Sequence, residues 1–183
     1  KAVEIARARG YTRPVTLQPQ YNLLVRDIEL EIVDACLDAG MGLLPWSPLA
    51  GGWLTGKYKR DTLPTGATRL GENPQRGMEA FDARNAQERT WAVIGAVEEI
   101  ARARGVSMAQ VALAWTAQRP AVTSVILGAR TPEQLADNLG ASKVTLTAEE
   151  MQRLDEVSAP RPADYPYGRG GTNQRHRKLE GGR

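Results

Sequence analysis

The hydrophobic residues of this chain follow helical spacing in most segments and form short apolar runs in three others. Over residues 27–40, "DIELEIVDACLDAG", apolar side chains recur every three or four positions, which predicts a helix. Five of them would share one face: Ile28, Ile32, Val33, Cys36 and Leu37. Asp27 is the predicted N-terminal cap, and Gly40 is the predicted end.

The same pattern predicts further helices at residues 90–105, 107–120, 131–142 and 147–158. Three of these begin with a capping-box pair: Ser107 with Gln110, Thr131 with Gln134, and Thr147 with Glu150. Apolar runs predict strands that begin within residues 15–24, 41–52 and 121–129. Because these strands alternate with helices, we expect parallel strands joined by crossovers.

Residues 59–90 lack a steady period and are rich in Gly, Pro, Asn and Arg. Connections of this length are uncommon unless they act as a lid or a binding loop. The sequence therefore predicts a functional loop here.

Composition places the chain among ordinary globular proteins. It has 183 residues, 42% of them hydrophobic, which suits one domain with a real core. No apolar run approaches the ~20 residues of a membrane span, so no membrane partner is expected. The single cysteine excludes an internal disulfide, no Cys/His metal cluster is present, and a cytoplasmic location is expected. The opening "KAVEIARARG" is typical of a helix end rather than a leader, and we expect the chain to be part of a longer protein.

The charge is concentrated at the C-terminal end. The formal net charge is +3, and residues 161–183 alone carry six Lys or Arg against Asp164 and Glu180. A basic tail with Gly and Pro could contact nucleic acid. No aromatic residues are interleaved on a basic face, so we favour a flexible, solvated tail over 159–183 and expect no nucleic-acid partner.

The stretch "PLAGGWLTGKY", residues 48–58, resembles a phosphate loop. Gly51, Gly56 and Lys57 match the spacing G-x-x-x-x-G-K. A triphosphatase needs a Ser or Thr after the lysine to hold Mg²⁺, and its loop opens directly into a helix. Here Tyr58 follows Lys57, and loop-forming residues come next. A triphosphatase is therefore a distant alternative.

A second anion site is predicted in "LGARTPEQLADN", residues 127–138. A glycine and Arg130 precede a well-capped helix at the end of a strand, so backbone N–H groups and the positive helix end would face a ligand. The guanidinium of Arg130 suits a phosphate. A strand–helix turn with a surface arginine explains the same residues, and both interpretations stay open.

Taken together and in order, three stretches resemble a known family. They are "QPQYNLLVRDIELEIVDACLDAGMGLLPWSPLAGGWLTGKY", then "TR", then "SMAQVALAWTAQRPAVTSVILGARTPEQLADNLGA". They look like the C-terminal half of the aldo/keto reductases, and most closely like the potassium-channel β-subunit-like bacterial branch. The resemblance covers residues 1–158. It implies a (β/α)₈ TIM barrel of which this chain carries the last three β/α units, with strands at 15–20, 41–46 and 122–127.

The resemblance also implies NADP(H) as cofactor. Gln18 would bind the nicotinamide carboxamide. Amides and the Ser47 hydroxyl would line the pyrophosphate, from Trp46, Ser47, Pro48, Leu49, Ala50, Gly51 and Gly52. Lys57 and Arg69 would flank the phosphates, although a solvated charge explains either one alone.

In the second stretch, the resemblance places Gly128, Arg130 and Gln134 at the adenosine 2′-phosphate. Asp137 and Asn138 would meet the adenine or ribose edge. A 2′-phosphate needs a cationic partner, so Arg130 favours NADP(H) over NAD(H).

The resemblance places the catalytic chemistry elsewhere. The family uses an Asp, a Tyr, a Lys and a His from the first half of its barrel, and the only histidine here is His176 in the basic tail. We therefore expect an oxidoreductase that reduces small aldehydes or ketones in its complete form, with the isolated chain inactive. The alternative is a non-catalytic module that binds a nucleotide or a partner. Three strands cannot close a barrel, so we expect association with the missing half or with a second copy.

Overall fold

Parallel backbone segments form the sheet of this protein. A computed structural model describes residues 1–162. Strand β1 (Thr16–Leu17) pairs in parallel with β2 (Gly42–Leu43). A parallel bridge joins Leu43 to Val122, so β2 lies between β1 and the segment that begins at residue 121. The predicted parallel arrangement is therefore present.

Within residues 1–162, two of the three predicted strands are regular and are shorter than predicted, and the predicted strand at 122–127 pairs only through an isolated bridge at Val122. Backbone hydrogen bonds nevertheless continue beyond the regular strands. The Trp46 N–H donates to the Pro19 carbonyl over 3.0 Å, and the Ile126 N–H donates to the Pro45 carbonyl over 2.9 Å. Pro19 and Pro45 have no N–H of their own, so the ladder loses donors at these positions. Pairing thus reaches Trp46 without regular strand geometry.

Helices make up most of the remaining structure. The α-helices are α1 (Ala2–Arg9), α2 (Ile32–Ala39), α3 (Arg69–Glu72), α4 (Phe81–Asn85), α5 (Glu88–Arg104), α6 (Met108–Ala117), α7 (Pro132–Gly140) and α8 (Ala148–Val157). Short 3₁₀ turns cover Asp27–Leu30, Ala50–Thr55, Gly77–Glu79 and Ala141–Lys143. Helix α6 is buried on all sides and packs on α5 and α7, while α8 packs on α5.

The first predicted helix differs from expectation at its start. Asp27 does not cap it, because residues 27–30 form a 3₁₀ turn and α2 begins only at Ile32. Gly40 ends α2 in the left-handed conformation, as predicted. Ile32 and Leu37 are 41% and 50% exposed, so the apolar face is wider than the surface on which α2 packs.

The three predicted cap residues, Ser107, Thr131 and Thr147, each accept the expected backbone hydrogen bond. Only Thr147 and Glu150 form the complete reciprocal box. The side chain of Gln110 instead donates to Asp137, and that of Gln134 accepts from the Arg130 N–H. Local sequence therefore predicted these three helix starts, whereas Gln110 forms a tertiary contact and Gln134 bonds the residue before the cap.

The long segment after residue 58 is more ordered than a loop. It contains α3 and α4, and it is anchored by four aromatic rings, which we call the aromatic cluster: Trp53, Tyr58, Phe81 and Trp91. Trp53 is fully buried at the centre of this cluster. The segment is thus held against the body of the protein by apolar packing.

Two further expectations from the sequence concern the C-terminal tail and insertion into a membrane. Most of the predicted tail, 159–183, lies outside the described residues. Among residues 1–162, no helix has the length and apolar character required to cross a bilayer.

The isolated chain is expected to associate in solution. Within residues 1–162, β1 pairs only with β2, and the apolar side chains of Val15 and Leu17 at this edge are 64% and 37% exposed. An open apolar edge favours pairing with another chain. Light scattering should therefore report species larger than a monomer. A monodisperse monomer whose amides in all three parallel segments exchange slowly would refute this prediction.

Candidate functional site

The loop that follows the second parallel segment has an unusual backbone. Ser47 and Ala50 adopt positive φ values of 52° and 48°, and Gly51 and Gly52 follow at 64° and 103°. Residues other than glycine seldom adopt positive φ. Such strain persists only where the surroundings enforce it, and it is commonly found at binding sites.

A buried asparagine holds this loop in place. Asn22 is fully buried, and its Nδ2 donates to the Ser47 carbonyl over 2.9 Å. Its Oδ1 accepts from the N–H groups of Leu24 and Val25. Asn22 therefore ties the loop after β1 to the strained loop. Its signal in the sequence was a polar residue inside the apolar run "YNLL".

Gly52 makes room for Lys57. A Cβ at Gly52 would lie 2.1 Å from Lys57 Cε, so the lysine side chain crosses the bare backbone there. Arg69 lies nearby, since its Cδ would be 3.7 Å from a Cβ at Gly51. Burial, together with the charges of Arg130 and Arg69, lowers the pKa of the Lys57 ammonium. Three cations thus converge in one region without full charge compensation.

The phosphate-loop interpretation does not fit this geometry. The Tyr58 side chain is buried, and its hydroxyl donates to the Gly51 carbonyl over 3.1 Å. After the turn at Gly56, the next helix begins only at Arg69. The loop therefore lacks both the short hydroxyl and the helix N-terminus that a triphosphatase requires.

The second predicted stretch forms a turn into α7. The Arg130 N–H donates to Gln134 Oε1 over 2.9 Å, and Asn138 Nδ2 donates to the Gly128 carbonyl over 3.4 Å. Asp137 accepts from Ser107 Oγ over 2.8 Å. These contacts shape the turn at the N-terminus of α7, where free N–H groups favour an anion.

Arg130 extends from this turn towards α3. Its two terminal nitrogens donate to the carboxylate oxygens of Glu72 over 2.8 and 2.9 Å, and one also donates to the Ala67 carbonyl. The Arg130 side chain is half exposed. The hydrogen bonds that Arg130 donates to Glu72 raise the pKa of Arg130, so it is a permanent cation.

The two predicted stretches line one cleft of about 670 Å³. It lies at the carboxyl ends of the second and third parallel segments. The predicted residues that line it are Trp46, Ser47, Pro48, Leu49, Gly51, Gly52, Lys57, Arg69, Gly128, Arg130, Gln134, Asp137 and Asn138. Two predicted residues do not line the cleft. Gln18 is exposed just after β1, and Ala50 is fully buried beneath the loop. Carboxyl ends of parallel strands are the usual place for ligands in such sheets.

Several lining residues were not predicted. Thr55, Ala67, Thr68, Ser107, Ala109, Ile126, Leu127 and Ala129 also border the cleft. Ser107 had a readable signal, because it is the predicted cap of α6 and so lies at an anion-favouring helix end. Thr68 had none, because the short helix that it caps was not predicted. The other unpredicted lining residues carried no signal in the sequence, because their position in the cleft depends on how distant segments of the chain pack together.

Comparison with known proteins is consistent with the resemblance in the sequence. The aldo/keto reductase family profile matches residues 1–159. Versiconal hemiacetal acetate reductase of Aspergillus parasiticus is 35% identical and is matched over 86% of this chain and 44% of its own length. A probable voltage-gated potassium channel subunit beta of Oryza sativa subsp. japonica is 34% identical, over 88% of this chain and 49% of that protein. The uncharacterized oxidoreductase YrpG of Bacillus subtilis is 33% identical, over 86% and 44%.

The chain spans less than half the length of each of these three relatives. The family match nevertheless extends from its first residue to the end of the helical region. The (β/α)₈ barrel implied by the resemblance is the fold of that family. The chain belongs to the aldo/keto reductase family, and the β-subunit-like relatives predicted from its sequence are among its matches.

Proposed function

We propose that this chain is the C-terminal part, residues 1–158, of an NADP(H)-dependent oxidoreductase that reduces small aldehydes or ketones to alcohols. It supplies the last three β/α units of the barrel and most of the cofactor cradle. The remaining half, with the catalytic tetrad, is the partner that closes the barrel, and a cytoplasmic location remains a prediction. The observation that carries the proposal is one cleft that joins a strained glycine loop, three cations and the N-terminus of α7.

The dimensions and charge of the cleft suit a dinucleotide phosphate. Its volume of about 670 Å³ lies within the ordinary range for ligand pockets. Lys57, Arg69 and Arg130 would attract the phosphates, and the bare backbone at Gly51 and Gly52 would allow close approach. When bound there, NADPH supplies the hydride for carbonyl reduction.

Each part of the cleft has a separate role in this proposal. Residues 46–52 hold the pyrophosphate with amides and the Ser47 hydroxyl, while Asn22 keeps the loop in shape through the Ser47 carbonyl. Gly128, Arg130 and Gln134 bind the 2′-phosphate, and Asp137 and Asn138 border the adenine or ribose. Gln18 would bind the carboxamide, which requires the nicotinamide to extend beyond the cleft towards β1.

Arg130→Ala is expected to remove much of the preference for NADPH over NADH. Arg130 directly precedes the N-cap of α7, and loss of a charged hydrogen-bonding partner should reduce the ratio of the NADH and NADPH dissociation constants by about 5- to 150-fold. Fluorescence titration of both cofactors, on the chain and on the complete protein, measures the change. Arg153→Ala is the matched control, because Arg153 also forms an exposed ion pair, with Glu99, on another surface. An unchanged preference would show that Arg130 does not read the 2′-phosphate.

A non-catalytic nucleotide-binding module remains the second candidate. This alternative requires the same cleft. It differs from the proposed oxidoreductase only in that the complete protein would not reduce a carbonyl substrate. Measured carbonyl reduction by the complete protein would decide between the two.

A further inference from the structure

Arg130 is already occupied by a carboxylate. Glu72 bonds both terminal nitrogens in the bidentate geometry that a phosphate would also adopt. The pairing lowers the pKa of the Glu72 carboxyl, so this group stays anionic. An internal anion thus lies at the position where the proposed function places an external one.

Glu72 is held there by its own short helix. Thr68 caps α3 by accepting from the Gly71 N–H, and Leu70 is fully buried. A Cβ at Gly71 would lie 2.4 Å from the Gly66 carbonyl oxygen, so α3 lies directly on the backbone of the preceding turn. Close packing at Leu70 and Gly71 therefore fixes the direction in which Glu72 leaves the helix.

We propose that Glu72 competes with the 2′-phosphate of the cofactor for Arg130 and thereby limits the preference for NADP(H) over NAD(H). This inference rests on the proposed function of the cleft. A phosphate either displaces the Glu72 carboxylate or binds beside it. Displacement costs the existing ion pair, and binding alongside places two anions on one guanidinium. Both routes weaken binding of the phosphorylated cofactor.

The effect should be selective because Glu72 neutralises only one of the three cations. Within residues 1–162, neither Lys57 nor Arg69 forms an ion pair. These two would serve the pyrophosphate, which NADP(H) and NAD(H) share. Removing the Glu72 charge should therefore strengthen binding at the 2′-phosphate and leave the common part of the cofactor nearly unaffected.

The test is Glu72→Gln, which keeps the shape of the side chain and removes its charge. Isothermal titration should show NADP⁺ bound about two- to fivefold more tightly, with NAD⁺ affinity unchanged. Glu99→Gln is the matched control, since it removes one charge from a similar exposed pair, Glu99–Arg153. In an Arg130→Ala background, Glu72→Gln should no longer affect NADP⁺ affinity. Circular dichroism of each variant checks the fold.

The possible failures are distinguishable. Weaker NADP⁺ binding in Glu72→Gln would overturn the inference and would identify the pair as a clasp that supports the bound cofactor. Equal changes for NADP⁺ and NAD⁺, or an effect that persists without Arg130, would also overturn it. If neither the unaltered chain nor any variant bound either nucleotide, the proposed function would fail and the inference with it.

Discussion

The isolated 183-residue chain is expected to show no NADPH-dependent carbonyl reduction. Of the tyrosines that the structure describes, none lines the cleft. Burial raises the pKa of both Tyr21 and Tyr58, and each hydroxyl already has a partner inside the protein. A general acid must reach the proton acceptor within hydrogen-bond distance, and neither phenol is placed to do so.

NADPH oxidation with a broad panel of aldehydes and ketones measures this outcome, with the complete protein as positive control. A trace contaminant would be unaffected by Arg130→Ala, whereas activity in the cleft of this chain would fall in that variant. Turnover that survives repurification and falls with Arg130→Ala would contradict the prediction. It would require a proton donor within this chain.

Trp53→Ala is expected to lower the free energy of unfolding by about 3–5 kcal/mol, the usual cost of emptying a large buried aromatic site. Trp53 is fully buried, its Nε1 donates to the Glu79 carbonyl over 3.0 Å, and it stacks on Phe81 at 5.6 Å between ring centroids. Its ring also meets Tyr58 and Trp91 edge-on. The substitution leaves a cavity and an unpaired carbonyl at the point where the long segment is anchored.

Chemical denaturation at a single protein concentration gives the free energy, and Tyr11→Ala is the control. Tyr11 is 60% exposed, so its replacement should change stability by less than about 0.5 kcal/mol. A loss below about 1 kcal/mol for Trp53→Ala would mean that the aromatic cluster is not packed as described. Because Arg69 lies on the segment that Trp53 anchors and Lys57 lies just before it, cofactor binding should weaken in parallel.

Two parts of the cleft carry signals that are local in the chain. One signal is a glycine-rich loop after a strand, and the other is an arginine before a capped helix. Each can be recognised within about ten residues of sequence. The cleft that joins them depends on parallel alignment of two segments, and the alternation of strands and helices predicted that alignment. Gln18 lies outside the cleft because it follows β1, whereas the cleft lies at the ends of the other two segments, and Ala50 is buried beneath the loop.

The partners of the charged residues could not be predicted from the sequence in the same way. Glu72 and Arg130 are 58 positions apart, and nothing in either neighbourhood singles out the other. Arg26 likewise forms an ion pair with the carboxylate of Asp155, 129 positions away, although it also pairs locally with Glu29. Many carboxylates of a 183-residue chain could satisfy an arginine equally well before the chain folds.

The sequence by itself determined where three helices begin, at Ser107, Thr131 and Thr147, and that strands alternate with helices in a parallel arrangement. These properties follow from capping bonds within three residues and from apolar periodicity, both of which act over short distances. Only the tertiary structure decided that Gln110 bonds Asp137, that the long segment is anchored through Trp53, and that Arg130 is held by Glu72. Packing and ion pairing join residues far apart in the chain, so their partners are chosen only when the fold brings them within contact distance.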